Sequence, residues 1–202
     1  MSESLQEDRL LIERARRGEA AAIHRLVRKH QERAYGYAFR LTRNPEEAGD
    51  IVAEAFVRVN NAVRNFKGNS AFTTWLYRII TNCYLDHRKK ERTRQALSLD
   101  APTAGGEDDG REGGGREIED TTYMPDRDVE SQQRGLLVDK ALRRLPDFQR
   151  AMIVMYHMEE LSYEEIAESL DLPLGTVKSC LNRARISLRE LLSKHEELFR
   201  VG

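Results

Sequence analysis

Polar and basic side chains near the C-terminus carry the clearest chemical signal in the sequence. They occupy the outer face of a predicted helix whose apolar positions recur three or four residues apart. These side chains are Thr176, Lys178, Ser179, Asn182, Arg183 and Arg185. Hydroxyl, amide and guanidinium groups hydrogen-bond to base edges and phosphates, so such a helix suits the major groove of DNA. A helical hairpin with a solvated charged face is the alternative interpretation.

The residues before this helix predict the element that would present it to DNA. Ser162 stands three residues before Glu165, which is the spacing of a capping box at a helix start. The segment Asp171-Leu172-Pro173 then predicts a break, because aspartate tolerates left-handed backbone and proline is accepted at the start of the next helix. Two helices across so short a break are typical of a helix-turn-helix.

A second candidate nucleic-acid surface lies in the first hundred residues. Apolar residues from Phe72 to Cys83 recur at helical spacing and predict a helix with one buried stripe, after a loop and cap at Gly68, Asn69 and Ser70. The opposite face and the following turns are polar or basic: Thr73, Tyr77, Arg78, Thr81, Asn82, Arg88, Lys89, Lys90, Arg92 and Arg94. Such a helix can pack on a core with one face and hold phosphates with the other.

Two more helices are predicted before this one. Apolar spacing indicates one helix from Ile23 to Leu41 and another from Val52 to Phe66. Between them Asn44 can cap a helix start and Pro45 suits the first helical position. Glu47 is placed to reach back to the cap amide, which would complete a capping box.

Enzymatic chemistry has little support in the sequence. The five histidines are scattered, and none forms a recognised nucleophile motif with a serine or cysteine. Cys83 and His87, one helical turn apart, would supply at most half of a metal site. Four glutamates raise the hypothesis of a metal-dependent nuclease, although capping and solvation explain them better: Glu159, Glu160, Glu164 and Glu165. We therefore expect no catalytic residue, no metal and no cofactor.

The charges divide the chain into three parts. Residues 1–97 contain 19 basic and 12 acidic side chains, residues 98–133 contain 3 and 11, and residues 134–202 contain 11 of each. The middle part is rich in glycine and carboxylates with almost no large apolar residue, so burial cannot offset its ordering entropy. We expect an all-α protein with a helical domain at 1–97, a flexible acidic linker at 98–133 and a helix-turn-helix domain at 134–202.

Composition also limits where the protein acts. No apolar stretch approaches the roughly 20 residues that cross a bilayer. Two cysteines, Cys83 and Cys180, cannot form a disulfide framework. We expect a cytoplasmic protein without membrane insertion.

Three stretches stand in a specific order: residues 50–56 (DIVAEAF), residues 66–79 (FKGNSAFTTWLYRI), and residues 161–179, which begin LSYEEIA and end GTVKS. Together they resemble a bacterial extracytoplasmic-function sigma factor. The resemblance implies a two-domain helical protein that binds the clamp and flap of core RNA polymerase, directs it to a two-part promoter and assists local DNA melting. It also implies an anti-sigma partner.

The resemblance gives the helix around residues 50–59 a role in docking on the polymerase clamp. The matching positions are Asp50, Ala53 and Glu54. Carboxylates suit a basic partner surface. The family usually has Gln at the position of Ala53, which puts one polar contact in doubt. Without the resemblance, a solvated acidic face would be the preferred interpretation.

The resemblance assigns the loop at residues 67–71 and the helix after it to the minus-ten promoter element. The implied DNA contacts are Lys67, Asn69, Ser70, Phe72, Thr73, Tyr77, Arg78, Asn82, Arg88 and Lys89. Strand opening needs cations for phosphates and polar or aromatic walls for unstacked bases. Because Phe72 lies on the apolar stripe, Tyr77 is the better aromatic candidate for a base contact.

The C-terminal polar face would read the minus-thirty-five element. Residues near the start of that helix are the expected base readers, whereas Arg183 and Arg185 suit either bases or phosphates. Cys180 stands where arginine is common in the family, which implies a missing contact or an altered base preference.

The linker must span a large gap if both promoter elements are bound. About 36 flexible residues have a root-mean-square span of roughly 33 Å. Two sites two helical turns apart are separated by about 70 Å. We therefore expect polymerase to hold the linker stretched, with its carboxylates against basic channel walls: Asp108, Asp109, Glu112, Glu117, Glu119 and Asp120.

An ordinary DNA-binding regulator that works without polymerase is the competing interpretation. Such regulators normally dimerise to read two half-sites. This chain carries two different DNA-facing modules, so we expect no homo-oligomer.

Overall fold

The computed structural model describes residues 3–68, 70–99 and 126–193, and these residues form helices and connecting turns without a strand. The α-helices are α1 (Glu3–Arg16), α2 (Ala20–Thr42), α3 (Pro45–Ala62), α4 (Phe72–Leu99), α5 (Asp126–Arg144), α6 (Asp147–Ile153), α7 (Tyr163–Leu170) and α8 (Leu174–Leu192). A 3₁₀ turn covers Val63–Asn65, and a π-helical turn covers Val154–Met158. The all-α class is confirmed. No described helix combines the length and apolar character needed to span a membrane.

The first domain consists of α1 to α4 around a shared core. The cap at the start of α3 forms as expected, because the Asn44 side chain accepts hydrogen bonds from the backbone N–H groups of Glu46 and Glu47. The prediction that the Glu47 side chain accepts from the Asn44 amide, which would complete a capping box, is wrong. The Asn44 amide donates instead to the Thr42 hydroxyl. The Glu47 carboxylate reaches across to α4, where it lies 3.2 Å from His87 Nδ1.

The second domain consists of α5 to α8, and its local signals are confirmed. The Ser162 hydroxyl accepts from the Glu165 N–H, and the Glu165 carboxylate accepts from the Ser162 N–H, which completes the capping box. Asp171 ends α7 in the left-handed conformation with φ of 53°. Helix α8 then begins at Leu174, directly after Pro173. The apolar side of α8 is buried at Val177, Leu181 and Ala184.

The two domains pack against each other. Buried side chains of α2 and α4, such as Leu41 and Tyr84, belong to the same apolar core as Met152 and Met155 of the second domain. A smaller cluster under α5 and α8 contains Leu142 and Ile153. The sequence patterns did not predict this packing, and it determines which candidate DNA-binding residues are exposed.

Helix ends differ from the expected limits of the linker. Helix α4 continues to Leu99, two residues past the expected boundary at residue 97. Helix α5 begins at Asp126, eight residues before the expected start of the second domain at residue 134. Residues 126–134 lack glycine and proline, so their charge does not prevent helix formation. The linker carboxylates from Asp108 to Asp120 lie outside the described residues.

Candidate nucleic-acid interface

The exposed face of α3 presents the candidate polymerase contacts. Asp50 and Ala53 are exposed and Glu54 is half-buried. Val57, one further turn along the same face, is 61% exposed although it is a large apolar residue. Spacings of three and four residues put these side chains on one side of the helix. Sequence reasoning missed Val57, whose position on this face could have been found from its spacing to Ala53 and Glu54.

Arg58 of α3 links part of this face to helix α4. Arg58 donates to the Glu54 carboxylate at 2.6 Å and to the Asp86 carboxylate of α4 at 2.9 Å. The hydrogen bond to Asp86, followed by the one to Glu54, raises the pKa of Arg58. Glu54 is therefore held by Arg58, whereas Asp50 forms no ion pair with any side chain that the structure describes.

Helix α4 carries its candidate DNA contacts on two different faces. Asn82 and Lys89 follow Arg78 by four and eleven residues, so the three side chains lie on one side of the helix. All three are at least partly exposed. In the loop before α4, Lys67 is exposed and Ser70 is half-buried. Asn69 lies outside the described residues.

The aromatic candidates lie in the core. Phe72 is buried and packs beside Phe66 and Trp75. Thr73, the next residue of α4, is half-buried. The buried Phe72 ring therefore packs beneath the loop before α4 and supports it.

Tyr77 faces the second domain. It is only 5% exposed, its ring centroid lies 4.3 Å from that of Tyr37, and its hydroxyl interacts with Glu159. Burial, followed by the hydrogen bond to Glu159 and the charge of that carboxylate, raises the pKa of Tyr77. A DNA base can reach this ring only if the domains separate.

Carboxylates of the second domain pair with cations of the first. Asp147 Oδ2 accepts from Arg92 Nη2 at 2.5 Å, and Asp147 Oδ1 lies 3.7 Å from Arg88 Nε. Two further pairs are Arg40 with Glu159 at 2.6 Å, and Arg43 with Asp139. Arg88 is one of the expected phosphate contacts. Arg88 is also paired within its own domain, with Glu91 at 2.8 Å and Glu47 at 3.3 Å.

Arg150 links the two domains through a fully hydrogen-bonded guanidinium. Arg150 is 5% exposed to solvent. Within the second domain it donates to the carbonyl oxygens of Leu142, Arg143 and Leu145. Across the interface it donates to the Leu41 carbonyl oxygen and the Tyr84 hydroxyl, both at 3.1 Å. Because a buried charge is costly without such partners, Arg150 favours the packed arrangement.

Helix α8 exposes four of its six candidate base readers. Lys178, Ser179, Asn182 and Arg183 are exposed, and Thr176 near the helix start is half-buried. No hydrogen bond or ion pair described in the structure joins this face to the first domain. The packed arrangement therefore leaves the major-groove face of α8 open.

Arg185 points away from the other readers. Its Nε donates to His157 Nε2 at 3.1 Å, and its guanidinium lies 4.8 Å from the centre of the Tyr156 ring. Desolvation, followed by the charge of Arg185, lowers the pKa of His157, which keeps its ring nitrogen able to accept. Arg185 thus fastens α8 to the π-helical turn at 154–158.

Comparison with known proteins is decisive at both domains. The family model Sigma-70 region 2 matches residues 26–94, and Sigma-70 region 4 matches residues 135–188. The RNA polymerase sigma-H factor of Pseudomonas aeruginosa is 33% identical over 198 residues, which are 93% of this chain and 94% of the relative. The ECF RNA polymerase sigma factor SigW of Bacillus subtilis is 34% identical over 181 residues, 90% of this chain and 94% of the relative. The chain belongs to the extracytoplasmic-function sigma factors.

This sigma factor binds core RNA polymerase and directs promoter recognition, local DNA melting and transcription initiation. Sigma factors are initiation factors rather than enzymes. Solved structures share the fold: CnrH in complex with the cytosolic domain of CnrY has a TM-score of 0.60 at 23% identity, with 93% of this chain and 98% of that chain covered. RpoE of Bartonella quintana with the anti-sigma factor NepR has a TM-score of 0.58 at 23% identity, covering 84% and 96%.

Four of the residues that raised metal or nuclease hypotheses have structural contacts in the sigma factor. Cys83 is buried, and burial raises the pKa of its thiol to about 11. Its neighbour His87 lies beside Glu47. Glu159 pairs with Arg40, and Glu165 caps α7. Within the described ranges no group of three or more histidine, cysteine or carboxylate side chains is arranged to hold a metal ion.

Proposed function

We propose that this sigma factor uses three separate surfaces during initiation. The α3 face with Asp50, Ala53, Glu54 and Val57 binds the polymerase clamp. The loop before α4 and the exposed side of that helix bind the minus-ten element, whereas α8 reads the minus-thirty-five element. The observation that carries this proposal is the exposure of all three surfaces on different helices, each within or beside a stretch that resembles the matching sigma region.

The minus-ten contacts fall into two groups under this proposal. Lys67, Ser70, Arg78, Asn82 and Lys89 are accessible in the packed chain. Tyr77 becomes accessible only when the domains separate, and Arg88 must in addition exchange its pairs with Glu91 and Glu47 of its own domain for a phosphate. Melting therefore requires a rearrangement that initial binding does not.

Domain separation also follows from the length of a promoter. Two DNA sites two helical turns apart lie about 70 Å from each other. Domains that share a core cannot reach both, so we propose that polymerase holds the domain at 1–97 apart from the domain at 134–202. The acidic segment between them then runs through polymerase.

Control by an anti-sigma factor is part of the proposal. CnrH is in complex with the cytosolic domain of CnrY, and RpoE of Bartonella quintana with the anti-sigma factor NepR. We propose that a comparable inhibitor holds this sigma factor away from polymerase in the bacterial cytoplasm. An inhibitor anchored in the membrane would keep it near that surface.

Reconstitution with core polymerase tests these assignments. Core polymerase and the purified chain should comigrate in gel filtration and initiate transcripts from a promoter selected out of a random library. Asp50→Asn with Val57→Ser should weaken comigration, whereas Glu32→Gln on the exposed side of α2 should not. Binding to bare DNA without core association would favour the ordinary-regulator interpretation instead.

A further inference from the structure

An exposed isoleucine lies in the middle of the polar face of α8. Ile186 is 43% exposed and belongs to neither buried apolar cluster of the described residues. It follows the buried Val177 by nine residues and the buried Ala184 by two, so it lies on the opposite side of the helix from both. The packing of the second domain therefore does not account for an apolar side chain at this position. Ile186 is also not one of the base readers expected from the sequence.

Ile186 continues the line of the candidate base readers. It follows Ser179 by seven residues and Asn182 by four, so the three side chains form a row along one side of α8. All three are exposed. Homeodomain recognition helices use the same spacing for their base contacts over two helical turns. The row is therefore long enough for Ile186 to face base pairs together with Asn182.

Cations stand on both sides of this row. Arg183 lies on one side, and Lys178 and Arg189 lie on the other, each displaced by roughly 50–75° around the helix axis. All three cations are exposed, and none forms an ion pair with a side chain that the structure describes. In a major groove the phosphates line the two edges, and the base edges form the floor. The cations suit the phosphates, so the row that contains Ile186 faces the floor.

An aliphatic side chain on the floor of the groove matches one chemical group. The C5-methyl group of thymine is the apolar group that base edges present there. Every other group on those edges donates or accepts a hydrogen bond, and Ile186 would cover it without replacing the water that it loses. Contact between Ile186 and a thymine methyl removes apolar surface of both from water.

We propose that Ile186 selects a thymine in the minus-thirty-five element by packing against its C5-methyl group. The helix rises about 6 Å from Asn182 to Ile186, which corresponds to about two base pairs of DNA. The amide of Asn182 suits adenine, so the selected thymine lies within about two base pairs of an adenine that Asn182 reads. This inference rests on the proposed function of α8 and extends it to the base preferred at one position.

Replacement of thymine by uracil tests the contact, because uracil lacks only the methyl group. The probe is a fluorescent duplex with the minus-thirty-five sequence that wild-type holoenzyme selects from a random library. Each thymine of either strand is replaced in turn by uracil, and anisotropy gives the dissociation constant for holoenzyme assembled from core polymerase and the full chain. We expect one thymine at which the loss of the methyl group weakens wild-type binding about fourfold, the effect of burying one such group.

The variants separate this contact from its neighbours. Ile186→Ala should reduce the uracil penalty at that thymine to about 1.5-fold or less and leave the other positions unchanged. Alanine favours a helix, so the variant keeps the fold. Asn182→Ala should instead relax selection of the nearby adenine. Leu136→Ala is the matched control, since Leu136 is an aliphatic residue of the same domain that is 60% exposed on α5, and it should retain the full penalty.

Three results would overturn this inference. The first is a wild-type holoenzyme that binds every uracil duplex as tightly as the parent duplex. The second is an equal set of uracil penalties for Ile186→Ala and Leu136→Ala. The third is weaker comigration of Ile186→Ala with core polymerase and an unchanged set of uracil penalties, which would make Ile186 a polymerase contact. Wild-type holoenzyme without any sequence preference in the minus-thirty-five element would contradict the proposed function of α8 itself.

Discussion

Neutralising Asp147 should loosen the packing of the two domains without unfolding either one. Asp147→Asn keeps the size of the side chain but removes the charge that faces Arg92 and Arg88. It also weakens the acceptor of the Tyr84 hydroxyl, which donates to Asp147 at 3.0 Å. Arg92, Arg88 and Tyr84 belong to α4, so the change acts mainly on the interface; the remaining contact of Asp147 is with Arg150 of its own helix, at 3.9 Å.

The expected size follows from the exposure of each partner. The Arg92 side chain is 68% exposed, so its ion pair contributes only a few tenths of a kcal/mol. The Asp147 side chain is 14% exposed, and its hydrogen bond from Tyr84 contributes about 1 kcal/mol more as a carboxylate than as an amide. Together these losses are about 1.4 kcal/mol, which corresponds to about a tenfold increase in the ratio of separated to packed molecules.

Fluorescence energy transfer between the domains measures this ratio. Dyes can be attached at Leu10→Cys on α1 and Leu136→Cys on α5, since both positions are exposed. Cys180→Ser removes the more accessible native thiol, whereas Cys83 is buried. Glu190→Gln is the matched control, because Glu190 is exposed on α8 and has the same charge.

The separated population should rise about tenfold in Asp147→Asn and stay unchanged in Glu190→Gln. High salt should shift the wild-type chain in the same direction as Asp147→Asn, since screening weakens exposed pairs. Asp147 also begins α6, where a negative charge favours the helix start, so helical circular dichroism must be retained. Equal transfer distributions for Asp147→Asn and Glu190→Gln, with helicity intact, would refute this account of the interface.

Three further outcomes are expected. Arg183→Ala should lower minus-thirty-five dependent run-off transcription about tenfold by removing a base or phosphate contact, whereas Arg185→Ala should lower the Tm because Arg185 braces α8. An equal Tm for both variants would contradict this division. Asn82→Ala should reduce permanganate reactivity of the melted strand while closed-complex affinity stays within twofold; an unchanged opening rate would remove Asn82 from the site. Iodoacetamide at pH 8 should modify Cys180 and spare Cys83, whose burial raises its pKa to about 11, until urea unfolds the chain. Equal reaction of both thiols in the folded chain would contradict the packing.

The features that sequence predicted are those set by neighbours along the chain. The Ser162 and Glu165 capping box needs only four consecutive residues, and the Asp171 turn needs one residue that tolerates positive φ. Both form as expected. The cap at Asn44 also forms, but Glu47 binds α4 instead of the cap amide because His87 and Arg88 are brought close by tertiary packing.

The features that sequence could not predict depend on distant partners. Asp147 is separated from Tyr84 by 63 residues, and no local pattern marks either as an interface residue. Tyr77 has the spacing of an exposed side chain, yet it is buried beside Tyr37 of α2 and Glu159 of the second domain. The cavity between α1 and residues 66–72 could not be predicted for the same reason, since Arg9 and Glu13 are ordinary helix-surface residues until tertiary packing places that segment beside them.

Footprinting on a selected promoter tests the central claim most directly, namely that polymerase separates two domains that bind different stretches of DNA. The holoenzyme should protect two segments about two helical turns apart. The free chain at the same concentration should not protect both segments at once, because its domains remain packed. Simultaneous protection of both segments by the free chain would contradict the claim.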